Sequence, residues 1–376
     1  RTPGRLPPQP EIQALLRRGA LVTSEMEAFF ELCPCMLIAV TGSDGKTTTT
    51  TLIAEMLRTA GKRVFLGGNI GTPLLPLADE MQESDIAVVE LSSFQLMDMR
   101  RSPHIAAVTN LAPNHLDHHK DMAEYVEAKK QIFLHQGADD VLVLNHDNAL
   151  TDALASEARG AVRLFSRQER LAKGICLADG VIYRDGAPLL QQSDIRLPGI
   201  HNVENYMTAI AVVEGLVPDA AIREVAEHFG GVEHRIELVR EKDGVRYYND
   251  SIASSPSRTI AGLRSFPEKV ILIAGGYDKQ IPYDVLGPEI CAHVKTLVLT
   301  GATAPKIRAA TEQAAKTAAE HPEILEIDDF YEAIRRAAAL AKPGDTVLLS
   351  PASAAFDKFK NFAVRGEEFK KTVLAL

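Results

Sequence analysis

The stretch that decides the fold is CMLIAVTGSDGKTTTTTLIAEMLRTA, residues 35–60. Its first part, residues 35–41, is a short apolar run containing β-branched side chains, which is typical of a buried strand. Its last part, residues 47–60, places apolar side chains at helical spacing. The stretch therefore predicts a strand, a tight turn and a helix.

The turn between this strand and helix has the composition of a phosphate-binding loop. Backbone N–H groups and the positive helix end can hold a polyphosphate, Lys46 can neutralise it, and Thr47 can ligate Mg²⁺. Val40 stands where a standard P-loop has its first Gly, so this loop is two residues shorter. An ordinary strand-to-helix turn is the alternative interpretation. The predicted nucleotide contacts are Gly42, Ser43, Asp44, Gly45, Lys46, Thr47 and Thr48.

The pattern of strands continues along the chain and predicts an α/β fold. Strand-like runs at 86–91, 105–110 and 141–145 are separated by stretches long enough for crossover helices, which favours a mostly parallel sheet. Residues 160–198 contain closely spaced Asp-Gly turn signals and predict a small hairpin-rich sheet within the same domain.

After Gly230-Gly231 a second series of apolar strands alternates with helical stretches. We therefore expect a central P-loop-type ATPase domain with a mostly parallel sheet at residues 34–232. A C-terminal Rossmann-like domain is expected at residues 233–376, and residues 1–33 would precede both.

Composition excludes several classes of function. The formal net charge is −9 and basic runs are absent, so nucleic-acid binding is not expected. The longest apolar runs are strand-sized, which argues against a membrane span. Four scattered cysteines suggest reduced thiols in the cytoplasm. The chain does not begin with Met, so we interpret it as cut or incomplete.

Acidic and imidazole side chains follow two further predicted strands. Glu90 ends the strand at 86–91, and the carboxyl ends of strands in an open α/β sheet face the ligand crevice. Glu90 is thus placed to help hold Mg²⁺, although a capping Glu beside a Ser turn is the alternative. A neutral imidazole in the run HLDHH, residues 115–119, can serve a second divalent ion. For His118 and His119 we favour a solvated turn.

At this point the chain resembles a known family. Residues 41–50 are similar to the short phosphate loop of the Mur ligases and their folylpolyglutamate synthase relatives, which usually carry Asn at the position of Asp44. The resemblance continues, in family order, through ELSSFQL (90–96), GIHNVEN (199–205), EHRIE (233–237) and YNDSIAS (248–254).

For the first half of the site, the resemblance implies two Mg²⁺ sites beside ATP. The implied metal ligands are Thr47, Glu90, His115 and Lys129, the last as a carbamate. From the residues alone, Lys129 is better interpreted as an exposed helical lysine. The family also implies contacts of Asn69 and Ser92 with a nucleotide-sugar substrate.

For the second half, the resemblance implies that Asn202 and Asn205 approach adenine, that Arg235 reaches the γ-phosphate and that Asp250 contacts the nucleotide. A helix N-cap is the alternative role for Asn202. Ile252 stands where the family usually has Lys.

Residues 350–369 are similar to the D-glutamate-adding members of the family. Ala355 stands where some members have a Ser that binds the side-chain carboxylate of D-glutamate. Lys279 matches a basic residue of the family that pairs with a carboxylate of D-glutamate, and a lysine in a surface turn is the alternative interpretation. The residues implied to contact D-glutamate or the second substrate are Ser254, Lys279, Ala355, Phe356 and Phe362.

The resemblance thus implies an ATP-dependent ligase that joins D-glutamate to UDP-N-acetylmuramoyl-L-alanine through an acyl phosphate. We expect a monomer, with residues 1–33 the remnant of a UDP-binding domain and its linker. Two alternatives stay open. The first is a non-catalytic nucleotide-binding remnant, suggested by Asp44, Ile252, Ala355 and the missing first domain. The second is a folylpolyglutamate synthase-like ligase, against which residues 350–369 argue.

Overall fold

The structure, a computed structural model, describes residues 17–19, 23–70, 72–112, 119–197 and 199–376. It divides into two compact units, Arg1–Phe229 and Gly230–Leu376, here called unit 1 and unit 2. The division lies slightly before the boundary expected after residue 232. In the part of the chain that is described, no helix has the length and apolar character needed to cross a membrane.

Unit 1 is built on one nine-stranded sheet with the order β2-β3-β1-β4-β5-β6-β7-β8-β9. The strands from β1 to β7 pair in parallel, whereas β7-β8 and β8-β9 are antiparallel. Their bounds are β1 Met36–Thr41, β2 Val64–Gly68, β3 Ile86–Glu90, β4 Ile105–Val108, β5 Val141–Asn145, β6 Ala161–Ser166, β7 Ile175–Ala178, β8 Val181–Arg184 and β9 Ala187–Gln191.

Helices cover both faces of this sheet, which is why β1 is apolar at nearly every position. Ile38 and Val40 face one core, whereas Leu37 and Ala39 face the other. The α-helices of the unit are α1 Glu25–Leu32, α2 Lys46–Thr59, α3 Ser93–Leu96, α4 Met122–Lys130, α5 Ala149–Asp152, α6 Ile200–Val213 and α7 Asp219–His228. Short 3₁₀ helices lie at Leu75–Glu80, Ala153–Glu157 and Gln192–Asp194.

The hairpin-rich segment differs from the expectation in one respect. Its strands β7, β8 and β9 do form antiparallel hairpins. They do not form a separate small sheet, because β6 pairs in parallel with β5 and carries them onto the main sheet. Turn signals identified the hairpins but carry no information about the strand on which a hairpin is built.

Unit 2 contains a six-stranded sheet with the order β10-β11-β15-β12-β13-β14, parallel except for the β10-β11 hairpin. Alternate residues of β12 enter separate cores, Leu272 on one face and Ile273 on the other. The strands are β10 Glu237–Lys242, β11 Val245–Asn249, β12 Val270–Ala274, β13 Val294–Leu299, β14 Glu323–Glu326 and β15 Thr346–Leu349. The helices are α8 Pro256–Leu263, α9 Leu286–His293, α10 Ala304–Ala315, α11 Phe330–Leu340 and α12 Phe362–Ala375. The prediction of a largely parallel α/β fold in both halves is confirmed.

Candidate functional site

The candidate site of unit 1 lies where neighbouring parallel strands end. Val40 of β1 pairs with Glu90 of β3, and Gly68 of β2 pairs with the same glutamate. The phosphate loop, residues 42–47, follows β1 directly and leads into α2. Since the carboxyl ends of these strands form one edge, the side chains that follow them converge there.

A hydroxyl, a carboxylate and an amide meet at this edge. Thr47 donates its Oγ1 hydrogen to Glu90 Oε2 at 2.6 Å, and Asn69 Nδ2 donates to Glu90 Oε1 at 2.8 Å. Thr47 and Glu90 are 4% and 2% exposed, so this contact is shielded from solvent. Three residues predicted separately from the sequence are thereby brought together.

The conformation of the phosphate loop is fixed by residues that follow β4. The Ser43 and Asp44 amides donate to Asn110 O and Asn110 Oδ1, both at 2.9 Å, and Thr109 Oγ1 donates to Asp44 O at 2.6 Å. The Ser43 hydroxyl donates to Ala112 O at 2.9 Å. The first-turn N–H groups of α2 have no acceptor within the helix and remain the donors suited to an anion.

Two lysines lie at the loop. Lys46 Nζ donates to Ser43 O at 2.9 Å, so its side chain folds back along the loop. Lys129 Nζ donates to Gly42 O at 2.8 Å and to Thr41 Oγ1 at 3.2 Å, and the residue is 2% exposed. Burial, reinforced by the charge of Lys46, lowers the pKa of Lys129 well below its usual range. The interpretation of Lys129 as an exposed helical lysine is therefore wrong.

The histidine-rich run is only partly described. His115 and His118 lie outside the described residues, so their predicted roles stay predictions. His119 is 2% exposed, its Nε2 lies 2.9 Å from Ser93 Oγ, and its ring stacks on Phe94. The expected solvated turn is wrong for His119, because the aromatic residue of the Ser-Ser-Phe segment packs over the imidazole.

Ser92 has a local structural role in this structure. Its side chain accepts from the Gln95 amide and forms a capping box with Gln95 at the start of α3. Its predicted contact with substrate stays a prediction.

The two predicted adenine contacts lie beside the phosphate loop on α6. The helix is capped by Gly199, so the N-cap alternative for Asn202 is wrong. Asn205 Nδ2 donates to Asn202 Oδ1 at 3.1 Å, and Asn205 Oδ1 accepts from Thr49 at 3.3 Å. A cavity of about 160 Å³ opens here. It is lined by Asp44, Gly45, Thr109, Asn110, His201, Glu204, Asn205 and Thr208.

Unit 2 contains a separate buried polar cluster around Asp250. The Ser350 hydroxyl donates to Asp250 Oδ2 at 2.7 Å, and Asp250 is 3% exposed. Burial raises its pKa to about 7, against the opposing effects of the Ser350 hydrogen bond and the charge of Arg235. Arg235 follows His234, whose φ of 62° is left-handed. Arg235 and Asp250, which were predicted separately as phosphate and nucleotide contacts, are thus close enough for their charges to interact.

The residues assigned to the amino-acid substrate differ in exposure. Ala355 is 2% exposed, whereas Phe356 and Phe362 are 62% and 38% exposed. Lys279 is exposed, and Ser254 is half-buried near the end of the 249–254 loop. Solvent-facing aromatic side chains of this kind are available for contact with a ligand.

Sequence reasoning assigned no role to Arg365, which is 2% exposed and donates to Ser251, Ser353 and Ala354. It also missed the loop-fixing pair Thr109 and Asn110. The available signal was their position after a predicted strand, at the same edge as the phosphate loop.

Both units contain side chains of the kinds that bind metal ions. Thr47 and Glu90 present a hydroxyl and a carboxylate oxygen, the hard ligands that Mg²⁺ prefers, so this set fits the ion. In unit 2, Glu233, His234 and Glu367 also cluster. There the ammonium of Lys370 lies 2.8 Å from Glu233 and 3.2 Å from Glu367, so a cation of the chain already pairs with both carboxylates.

Both units match sequence families of known enzymes. Residues 40–213 match the Mur ligase middle domain, and residues 234–353 match the Mur ligase, glutamate ligase domain. The chain is similar to the UDP-N-acetylmuramoylalanine--D-glutamate ligase of Acetivibrio thermocellus, with 57% identity over 99% of this chain and 81% of the relative. The protein of that name from Clostridium kluyveri is 50% identical over 99% of this chain and 81% of its own length.

Solved structures show the same fold at low sequence identity. The UDP-N-acetylmuramate-alanine ligase of Thermotoga maritima has a TM-score of 0.62 at 19% identity, covering 100% of this chain and 84% of that one. A MurF ligase of the same organism, solved in complex with ADP, has a TM-score of 0.57 at 20% identity and covers 95% and 86%. Because two Mur ligase domains match this chain and curated relatives are 50% and 57% identical to it over nearly its whole length, the chain is a member of the Mur ligase family.

Proposed function

We propose that this chain is an ATP-dependent ligase that forms the amide bond between UDP-N-acetylmuramoyl-L-alanine and D-glutamate. The choice of substrates follows the names of the relatives that are 50–57% identical over nearly the whole chain. The observation that carries the chemistry is the buried contact between Thr47 and Glu90 beside the phosphate loop.

Unit 1 supplies the groups for phosphoryl transfer in this proposal. The first turn of α2 and Lys46 bind the ATP phosphates, and Asn202 and Asn205 approach the adenine. The carboxylate of the alanine moiety attacks the γ-phosphorus, ADP leaves, and an acyl phosphate results. Because positioning and charge neutralisation dominate phosphoryl transfer, fixed donors at the loop are the main requirement.

Thr47 and Glu90 would hold a magnesium ion, with Asn69 orienting the carboxylate. Magnesium bound there would supply positive charge to the phosphoryl oxygens. We propose a second magnesium site that involves His115 and a carbamylated Lys129. The low exposure and lowered pKa of Lys129 support the latter, because the neutral amine is the form that reacts with CO₂.

Unit 2 supplies the groups for the amine substrate and part of the nucleotide contact. Asp250 contacts the nucleotide, and Arg235 neutralises phosphoryl charge with its fork of donors. Lys279 pairs with a carboxylate of D-glutamate, while Ser254, Ala355, Phe356 and Phe362 contact the amino acid. The amine attacks the acyl carbon, and phosphate leaves from the tetrahedral intermediate.

The test of this function measures ADP release that depends on both acceptor and D-glutamate. Lys46→Ala is expected to reduce kcat by about 10²-fold or more, since the loop loses its fixed positive charge. Lys62→Ala, at an exposed lysine just after the same helix, is the control and should leave kcat within about twofold. If Lys46→Ala released ADP at the rate of the parent chain, the proposed role of the phosphate loop in catalysis would be wrong.

A further inference from the structure

Arg365 is a buried arginine in the first turn of α12. Asn361 caps this helix by accepting from the Val364 amide, and Arg365 lies on its buried face together with Phe369 and Val373. The guanidinium group is surrounded by oxygen acceptors from two separate segments. These are the 249–254 loop, which contains Asp250, and the 350–356 turn, which contains Ala355.

Four hydrogen bonds connect the guanidinium to these segments. Arg365 Nε donates to Ser251 Oγ at 3.0 Å, and Nη2 donates to Ser251 O at 2.9 Å. On the other side, Nη2 donates to Ser353 O at 3.0 Å and Nη1 donates to Ala354 O at 3.1 Å. One planar group therefore spans both segments, using four of the five N–H donors of arginine.

The same hydroxyl extends the connection to a third segment. Ser251 Oγ accepts from Arg365 and donates to Phe362 O at 2.8 Å. The 249–254 loop, the 350–356 turn and the start of α12 thus meet at one buried point. Five of the residues proposed to contact the nucleotide or D-glutamate lie on these three segments, namely Asp250, Ser254, Ala355, Phe356 and Phe362.

Burying this charge is unfavourable, and no acid neutralises it by direct contact within the described residues. Burial lowers the pKa of Arg365 to about 10, opposed by the charge of Asp357. The group stays cationic at neutral pH, held by carbonyl and hydroxyl oxygens. A buried ionic group is weak evidence for stability, so a role in fixing geometry is the better explanation for it.

The 350–356 turn is held on its other side as well. Gly276 lies so close that an added Cβ would be 2.3 Å from Ala354 O, and the Tyr277 amide donates to that oxygen at 2.9 Å. The hydroxyls of Tyr283 and Thr303 each lie 2.8 Å from Ser353 Oγ. This side holds the turn to the segments that follow β12 and β13. Arg365 therefore acts together with the Ser350–Asp250 hydrogen bond to fix the position of the 249–254 loop relative to the turn.

We propose that Arg365 is a positioning residue for D-glutamate addition, fixing the segments that contact the nucleotide and the amino acid in one relative geometry. This inference rests on the proposed function and adds to it a residue that contacts no substrate. Lysine cannot replace it, because an ammonium group has three donors around one atom and lacks the planar fork.

The experiment measures kcat, KM for D-glutamate and KM for UDP-N-acetylmuramoyl-L-alanine. It compares the full chain with its Arg365→Met and Arg365→Lys variants, at a temperature where each is folded. Misplaced segments should raise KM for D-glutamate by about tenfold or more and lower kcat by up to about 10²-fold. KM for UDP-N-acetylmuramoyl-L-alanine should stay within about twofold. Arg336→Met, which removes an exposed arginine of α11, is the control and should match the parent chain.

A purely structural role predicts a different result. Both Arg365 variants would then melt at a lower temperature, while the folded enzyme kept its KM for D-glutamate, and that result would overturn the inference. Full rescue by Arg365→Lys would overturn it too.

If Arg365→Met does not fold, the same measurements are made on Ser251→Ala. This variant keeps the arginine and removes the hydroxyl that bonds both Arg365 and Phe362 O. A raised KM for D-glutamate would support the inference, and an unchanged KM would contradict it. A parent chain that makes no product with D-glutamate would refute the proposed function itself. That outcome differs from an active parent chain whose Arg365 variants keep their KM for D-glutamate, which would refute only the role of Arg365.

Discussion

At the scale of single residues, the chemistry proposed for unit 1 depends on one buried hydroxyl-carboxylate contact. Thr47 and Glu90 come from a helix start and a strand end that are 43 positions apart. The parallel register of β1 and β3 brings them within 2.6 Å. Small changes at either residue should therefore affect metal-dependent catalysis more than folding.

Thr47→Val tests the hydroxyl while keeping the shape of the side chain. We expect kcat to fall by about 10²-fold and the Mg²⁺ concentration for half-maximal rate to rise, because an oxygen ligand is lost. Thr51→Val is the matched control on the same helix, where the hydroxyl donates only to Thr47 O. Equal losses in the two variants would show that the effect comes from the helix and not from a ligand.

Asp250 should make the stability of the chain depend on pH. Its pKa is about 7 in the folded state and about 4 when unfolded, so between these values the folded state binds more protons. The contribution of Asp250 to the free energy of unfolding should therefore decrease as the pH rises from about 4 to about 7.

Urea unfolding of the parent chain, Asp250→Asn and Asp284→Asn across this range measures the effect. Asp250→Asn should lack this contribution, so its stability should fall less, or rise more, with pH than that of the parent chain. Asp284→Asn, at an exposed position, should match the parent chain. The same pH dependence in all three proteins would exclude a contribution of Asp250.

At the scale of elements, the turn into α2 requires glycine at its last position. Gly45 has a φ of 76°, and a Cβ there would lie 2.2 Å from Asn205 Oδ1. The loop, the helix start and α6 thus pack together without room for a side chain. This packing joins the predicted phosphate site to the predicted adenine contacts within unit 1.

Gly45→Ala should weaken ADP binding by about tenfold or more, since both backbone strain and the contact with Asn205 displace the loop. Gly61→Ala is the control, because its φ of 79° imposes similar strain but a Cβ would meet nothing within 4 Å. Titration calorimetry with ADP measures both affinities. We expect similar losses of stability in the two variants and weaker ADP binding in Gly45→Ala alone. Unchanged ADP affinity in Gly45→Ala would contradict the role of Gly45 in the phosphate loop.

How much of these elements the sequence predicts depends on how far apart in the chain the interacting residues lie. The strand-loop-helix at residues 35–60 is local, so apolar spacing and Gly-Lys-Thr were sufficient to predict it. Asn110 and Arg365 act through contacts 66 to 114 positions away, and no local pattern reports such pairs. The burial of Lys129 and His119 was missed for the same reason, since each is covered by residues distant in sequence.

At the scale of the whole molecule, two α/β units carry different parts of one proposed reaction. Unit 1 has the phosphate loop and the proposed magnesium ligands, and unit 2 has the buried Asp250 cluster and the 350–356 turn. Three departures from the family pattern, Asp44, Ile252 and Ala355, leave every side chain of the Thr47–Glu90–Asn69 cluster in place. The intact cluster therefore favours an active ligase over a non-catalytic nucleotide-binding remnant.

The most direct test incubates the full chain with ATP, Mg²⁺, UDP-N-acetylmuramoyl-L-alanine and labelled D- or L-glutamate, and measures the labelled amide product together with ADP. We expect product with D-glutamate, none with L-glutamate, and one ADP per amide bond. Binding of ADP without product would identify a nucleotide-binding remnant. Product with L-glutamate, or with a folate acceptor in place of the UDP substrate, would contradict the central claim.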